Sequence, residues 1–335
     1  MKIAIVGAGA IGGYLGARLA LAGEEVTCIA RGPNLAAIRA SGLKLIEEDG
    51  SERHAATVRG ATMAEAGVQD VVLLTLKAHQ VRDVLPDMRS LFGPDTTVVT
   101  MQNGIPWWYF HKLAGPWQGR AVETVDPDGT VAANIEVGRV IGSVVYPASE
   151  LVAPGVIKVV EGNRFTLGEL DGSKSPRIET LAQALIRAGF KAPIATDIRS
   201  EIWLKLWGNL SFNPISALTH ATLVDICQFP LTRELAANMM REAQTIAEKL
   251  GVKFKVSLEK RISGAEGVGK HKTSMLQDVE AGRPLELEAL VGSVRELGRV
   301  TATPTPTIDA VYACASLLAK TLGEQQGKLA VSARG

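Results

Sequence analysis

Cysteine is scarce in this 335-residue chain, and Cys28, Cys227 and Cys314 are few, odd in number and far apart. They form no C-x-x-C pair, and the five histidines form no H-x-x-H or H-x-x-x-H cluster. That pattern argues against a disulfide framework and against a metal site. An excess of one charge is also lacking. Thirty-six Lys and Arg against thirty-five Asp and Glu leave a formal charge of +1, so no field draws in nucleic acid or an anionic membrane as a partner. No apolar stretch reaches the ~18 residues of a membrane span. The N-terminal run Ile3-Ala4-Ile5-Val6 is too short for a signal-peptide core, so the expected location is the cytoplasm. Disorder is excluded by composition, with 46% hydrophobic and 21% charged residues.

What is present is length, glycine and periodicity. At ~150 residues per domain the chain reads as two domains, large enough to bury a core without covalent staples. Its 34 glycines exceed the average share of roughly 7%. In the first half, short apolar runs alternate with helical patterns: Lys2 to Val6, Glu25 to Ala30, Asp70 to Leu76 and Thr96 to Met101 read as buried strands. Strands alternating with helices predict a parallel, doubly wound α/β sheet. Short β-prone pieces between Val131 and Glu169 are expected to complete that sheet. Beyond Thr196 the pattern is helical, over Ile198 to Leu218, Leu231 to Leu250, Leu285 to Leu297 and Thr307 to Leu322, with a polar, frayed tail from Gly323. Asp197 suits an N-cap and Gly251 a C-cap. The expected domains are therefore 1–196, an α/β unit, and 197–325, an all-α unit.

The segment Gly7-Ala8-Gly9-Ala10-Ile11-Gly12 is G-x-G-x-x-G, set between an apolar strand and an amphipathic helix. Gly7 permits a tight turn, Gly9 lets a pyrophosphate approach the backbone, and Gly12 lets helix and strand pack closely. The helix N-terminus supplies amides and the positive end of a dipole. An NAD-binding chain places an acid at the end of the second strand, whereas this chain has Cys28-Ile29-Ala30-Arg31. A guanidinium there binds a 2′-phosphate bidentately, so the expected cofactor is NADP. Lys77 and Asn103 end two further strands, where open α/β sheets bind ligands. Each has the alternative of capping a helix or facing solvent.

The helical half contains a conflict. Ile202, Trp203, Leu204, Leu206, Trp207, Leu210 and Phe212 make one helix apolar nearly all round, yet Lys205, Asn209 and Asn213 recur every fourth residue and share a face. Burying a lysine is costly unless it is paired or faces a polar cavity. The stripe therefore suggests two amides to hold a substrate and an ammonium to donate a proton, with snorkelling to the surface as the alternative. Pro214 should kink the helix. Glu286 and Glu288 follow Pro284, and helix-end electrostatics explains either of them equally well.

Together, Lys2-Ile3-Ala4-Ile5-Val6-Gly7-Ala8-Gly9-Ala10-Ile11-Gly12, Thr75-Leu76-Lys77-Ala78-His79-Gln80, Gln102-Asn103-Gly104, the Lys205/Asn209/Asn213-Pro214 helix and Ser274-Met275-Leu276-Gln277-Asp278 resemble the ketopantoate reductase (2-dehydropantoate 2-reductase) family across residues 1 to 320. The resemblance implies a Rossmann-type NADPH-binding domain, an all-helical domain that closes the cleft, and reduction of 2-dehydropantoate to (R)-pantoate on the way to pantothenate and coenzyme A. It implies Lys205 as catalytic acid and Glu286, twelve residues after Ser274, as the active-site glutamate in preference to Glu288. It makes Asn209, Asn213 and Ser274 substrate ligands and Asn103 a residue at the nicotinamide and substrate. Arg31 and Lys77 fall on cofactor-contacting positions. Where the family continues with small and polar residues, this chain has Ile105-Pro106-Trp107-Trp108-Tyr109-Phe110, which has two equal readings: a substrate mouth reshaped for a bulkier 2-oxo acid, or a subfamily's way of packing a loop. Two rival readings remain: a reductase of another 2-oxo acid, and a catalytically silent NADP-binding sensor. Exposed apolar residues on the C-terminal helices leave room for a homodimer. The role of His271 is open.

Overall fold

The apolar runs are too short for a buried helix, and as strands of a sheet they pair their backbone polar groups with their neighbours in a dry interior. A computed structural model describes residues 1–325. Contacts divide the chain into two compact units, Met1–Ala121 with Asp126–Glu201, and Val122–Val125 with the chain from Ile202 onward.

In the first unit the strands are β1 (Lys2–Val6), β2 (Glu25–Ile29), β3 (Leu43–Ile46), β4 (Glu52–Ala55), β5 (Arg59–Ala61), β6 (Gln69–Leu74), β7 (Phe92–Thr100), β8 (Val140–Val145), β9 (Ala148–Ala153), β10 (Val156–Glu161) and β11 (Phe165–Glu169). The helices are α1 (Ala10–Leu21), α2 (Gly32–Ser41), α3 (Met63–Ala66), α4 (Val81–Met88), α5 (Thr130–Asn134) and α6 (Pro176–Arg187). The main sheet has the order β11-β8-β7-β6-β1-β2-β5. It is parallel throughout except for the antiparallel β8–β11 pair at one edge. From β1 the chain continues to β2 on one side and later to β6 on the other. The order therefore reverses at β1, and the crevice at the carboxyl ends of such strands is where open sheets bind ligands.

One sequence expectation is corrected here. The pieces after Val131 do not all complete the main sheet: β8 and β11 join it, but β9 and β10 form a second, four-stranded sheet with β3 and β4, in the order β4-β3-β10-β9. This sheet packs on α1, where Ile157 lies against Gly13 and Leu43 against Gly16. The helix after the glycine loop is thus covered on two sides, with Tyr14, Leu15, Ala17 and Leu19 all buried.

The second unit is helical: α7 (Ile198–Thr219, whose first turn belongs to the first unit), α8 (Leu223–Gln228), α9 (Pro230–Lys249), α10 (Leu258–Gly267), α11 (Ser274–Glu280), α12 (Ser293–Val300) and α13 (Pro306–Glu324). Asp197 caps α7 by accepting from the Ser200 amide at 3.0 Å, and α7 continues five residues beyond Pro214. The helix expected over Leu285 to Leu297 is continuous from Leu287 to Val300, with its first part a π-turn, Glu288–Gly292, that leads into α12. The tail expected to fray from Gly323 is helical to Glu324, and its remainder lies outside the described residues. Among the described residues no helix is long and apolar enough to cross a membrane.

Candidate active site

The glycine loop is held from three directions. Gly7 has φ +106, a conformation that L side chains rarely adopt. The Gly7 and Ala8 amides both donate to the Ile29 carbonyl at 3.3 Å. Thr75 donates its hydroxyl to the Gly7 carbonyl at 2.8 Å, fixing the loop to the segment after β6. Each glycine has its own reason. A Cβ at Gly12 would collide with the Gly7 carbonyl and lie 2.5 Å from Thr75 Oγ1, whereas a Cβ at Gly9 would meet nothing within 4 Å. Open space at Gly9, ahead of the α1 N-terminus, fits the approach of a pyrophosphate. Ala8 is buried, and Ala10 and Ile11 are half-buried in the first turn.

Arg31 is exposed just beyond β2, at the start of α2. Lys77 and Asn103 lie beyond the ends of β6 and β7, neighbouring strands of the sheet, and both are half-buried. Two residues of this region went unassigned by the sequence. Asn34 donates to the Ala8 carbonyl at 2.6 Å while its own oxygen accepts from the Gly155 amide at 2.8 Å. It therefore ties the glycine loop to the turn between β9 and β10. Gln102 donates to the carbonyls of Leu74 and Leu76 at 2.7 and 3.0 Å, and so fixes the chain that carries Asn103 against the end of β6. An Asn one residue after a helix-opening Pro was the available signal for the first, but its partner is 26 residues away.

Of the two readings of the aromatic run after Asn103, the structure favours loop packing. Trp108, Tyr109 and Phe110 are core residues of the first unit, each at most 1% exposed. The Trp108 indole donates to Thr100 Oγ1 at 2.9 Å and its ring fills the space over Gly142. The buried Arg199 clasps the run by donating to the carbonyls of Tyr109, His111 and Leu170, with its guanidinium over the Trp108 and Tyr109 rings. Trp107 is half-buried, edge-on to His111, with its indole N–H enclosed by protein.

In the second unit α7 is as apolar as its sequence. Trp203, Trp207 and Leu210 are fully buried, and the Trp207 indole donates to the Met240 carbonyl at 2.7 Å. The polar stripe interrupts this surface, with Lys205 and Asn209 half-buried and Asn213 buried. Burial lowers the Lys205 pKa to about 8, and the Glu286 carboxylate acts in the opposite direction. Glu288 is occupied elsewhere: its carboxylate accepts the Tyr312 hydroxyl at 2.6 Å and closes over Gly292. Asn213 donates to Ser274 Oγ at 3.4 Å, so these two are also brought together. The run around Ser274 has divided tasks. Thr273 caps α11, Met275 and Leu276 are core, Asp278 accepts from Arg283, and Ser274 is exposed. His271 accepts the Leu223 amide at its carbonyl, a backbone role.

The family model described as "Ketopantoate reductase PanE/ApbA" matches residues 3–172, and its C-terminal counterpart matches residues 197–319. A 2-dehydropantoate 2-reductase from Mesorhizobium japonicum is 56% identical over 320 residues, covering 95% of this chain and 98% of the relative. A crystal structure titled as a putative ketopantoate reductase from Ralstonia solanacearum has a TM-score of 0.91 at 43% identity, covering 96% of this chain and 98% of its own. A D-mandelate dehydrogenase solved with NADH and anilino(oxo)acetate shares the fold, with a TM-score of 0.82 at 22% identity, covering 96% and 99%.

Proposed function

Because the chain belongs to the ketopantoate reductase family and is a nicotinamide-dependent oxidoreductase, we propose that it reduces 2-dehydropantoate to (R)-pantoate with NADPH, a step towards pantothenate and coenzyme A. The observation that carries this reading is the half-buried Lys205 on a helix face shared with Asn209 and Asn213, its pKa lowered by burial and raised in part by the Glu286 charge. A silent nucleotide sensor has no use for an ammonium tuned to about 8.

The first-unit loop fits a dinucleotide. Gly7, Ala8, Gly9, Ala10, Ile11 and Gly12 are assigned to the pyrophosphate, Arg31 to the 2′-phosphate, and Lys77 and Asn103 to the rest of the cofactor. The bound cofactor supplies hydride to the carbonyl carbon. Negative charge then grows on the carbonyl oxygen. Lys205 stabilises that charge and gives the oxygen its proton, so one hydride and one proton convert ketone to alcohol. Glu286 holds the ammonium in its charged form, and Asn209, Asn213 and Ser274 orient the 2-oxo acid. The family resemblance implies that Asn103 serves the substrate as well as the nicotinamide.

Initial rates of nucleotide oxidation test this with ketopantoate and a panel of bulkier 2-oxo acids. Ketopantoate is expected to be the preferred substrate, and Lys205→Ala is expected to lose about 10²–10⁴ in kcat. Arg31→Ala should raise the KM for NADPH about tenfold or more and leave NADH nearly unaffected, since each tenfold is about 1.4 kcal/mol of phosphate contact. Turnover of another 2-oxo acid in place of ketopantoate would retain the chemistry and replace the substrate.

A further inference from the structure

The helix that follows Glu286 opens with the π-turn Glu288–Gly292 before it becomes α12. A π-turn closes its hydrogen bonds one residue later than an α-turn does, and such turns are rare. Returning this one to α-helix would rotate the chain ahead of it by about 100° around the axis, because 3.6 residues complete a circle. Glu286 stands two residues ahead, and the Leu290 amide inside the turn donates to its carbonyl at 3.3 Å, so it would move with the turn. The contacts that hold the turn lie within the second unit. From α13, the Tyr312 hydroxyl donates to Glu288 Oε1 at 2.6 Å. The other oxygen of that carboxylate, Oε2, occupies the place that a Cβ on Gly292 would take, with Thr124 Cγ2 only 3.0 Å from the same point. Gly292 has ordinary helical backbone, so space and not φ is the reason for a glycine there. Arg295, paired with Asp309, lies 4.1 Å from the centre of the Tyr312 ring and fixes the phenol against α12. Burial and the Glu288 carboxylate raise the Tyr312 phenol above its ordinary value of 10.0, with Arg295 opposing, so it stays a donor at neutral pH.

We propose that Tyr312 is a positioning residue: by holding Glu288 across the π-turn, it keeps the Glu286 carboxylate directed at Lys205. This rests on the reading of Lys205 as the proton donor. The Glu286 charge raises the Lys205 pKa against the burial that lowers it to about 8, so the direction of one carboxylate decides where the ammonium titrates. The same contact keeps the second acid of the segment, Glu288, on the side of α13. Tyr312 thus acts on the reaction through Glu288 and the turn, as a support for Glu286 and not as a reacting group.

The test follows Lys205 in two ways, by NMR titration of its ammonium and by the pH profile of kcat/KM for ketopantoate. Both are measured in the wild type, Tyr312→Phe, Glu288→Ala, Glu288→Gln and Glu286→Gln. Tyr312→Phe and Glu288→Ala release the turn and take negative charge away from the ammonium. Each is expected to lower the pH at which Lys205 titrates, to move the falling limb of the profile the same way, and to reduce kcat/KM about tenfold. Glu288→Gln keeps an oxygen that accepts the phenol and should stay within about threefold of the wild type. In a Glu286→Gln background, Tyr312→Phe should move the titration no further, because no charge is left to misdirect. If Tyr312→Phe does not fold, Gly292→Ala displaces the same carboxylate from the α12 side and is expected to give the same shift. Folded Tyr312→Phe and Glu288→Ala proteins in which Lys205 titrates as in the wild type overturn the proposal. So does a Tyr312→Phe shift that persists in the Glu286→Gln background, or a Glu288→Gln shift as large as that of Glu288→Ala. If Lys205 titrates as described but ketopantoate is not turned over, the reductase reading falls and the positioning by Tyr312 stands.

Discussion

At the residue scale, the proposed chemistry rests on Lys205 being charged when the substrate arrives. Its ordinary pKa is 10.5, and burial lowers it to about 8. A lowered lysine loses its proton at lower pH, so the rate of ketone reduction should be level below about pH 8 and fall above it. Glu286 pulls the pKa upward, so Glu286→Gln should move the falling limb to lower pH. A pH profile of kcat/KM checks both, and a profile flat to pH 10 would remove Lys205 as the donor. The glycine loop was legible in sequence because its geometry is local. The roles of Asn34 and Gln102 were not, because each acts on a backbone carbonyl of a distant segment.

At the scale of elements, the Lys205/Asn209/Asn213 stripe was readable because a helical period of 3.6 residues places every fourth residue on one face. The choice between Glu286 and Glu288 was left to the family resemblance, because spacing does not report a π-turn. In the structure Glu288 opens that turn and bonds Tyr312, while it is Glu286 whose charge reaches Lys205. The Trp107 to Phe110 run stayed open between pocket and loop packing because composition gives bulk without direction. Trp108 packs inward under Arg199, so Trp108→Ala should destabilise the first unit by about 3–5 kcal/mol, measured by chemical denaturation. Its effect on ketopantoate KM in the folded fraction should be small. A large shift in substrate preference with unchanged stability would return the residue to the pocket.

At the scale of the molecule, two units form because the two halves bury apolar surface by different means, strand runs against a sheet and helical stripes against one another. One short segment crosses between them. Val122–Val125 groups with the helical unit because buried Glu296 accepts the Glu123 and Thr124 amides at 2.9 and 2.7 Å. Immediately afterwards, Asp126 accepts the Val131 and Ala132 amides and returns the chain to the first unit. Glu296→Ala should cost about 2–4 kcal/mol, since hydrogen bonds to a charged group contribute about 1.5–3 each and the loss is shared with water. Hydrogen exchange at residues 123 and 124 should accelerate in that variant, and unchanged protection would refute the anchoring role.

The sequence by itself determined the α/β and helical halves, the glycine loop and the lysine–asparagine face, because each is written in local periodicity or in a turn that demands glycine. Tertiary structure alone decided that β9 and β10 leave the main sheet for a second one, that Trp108 belongs to the core, and that Tyr312 meets Glu288 at the π-turn. These depend on contacts between residues far apart in the chain, where no local preference specifies which distant surface a side chain will meet.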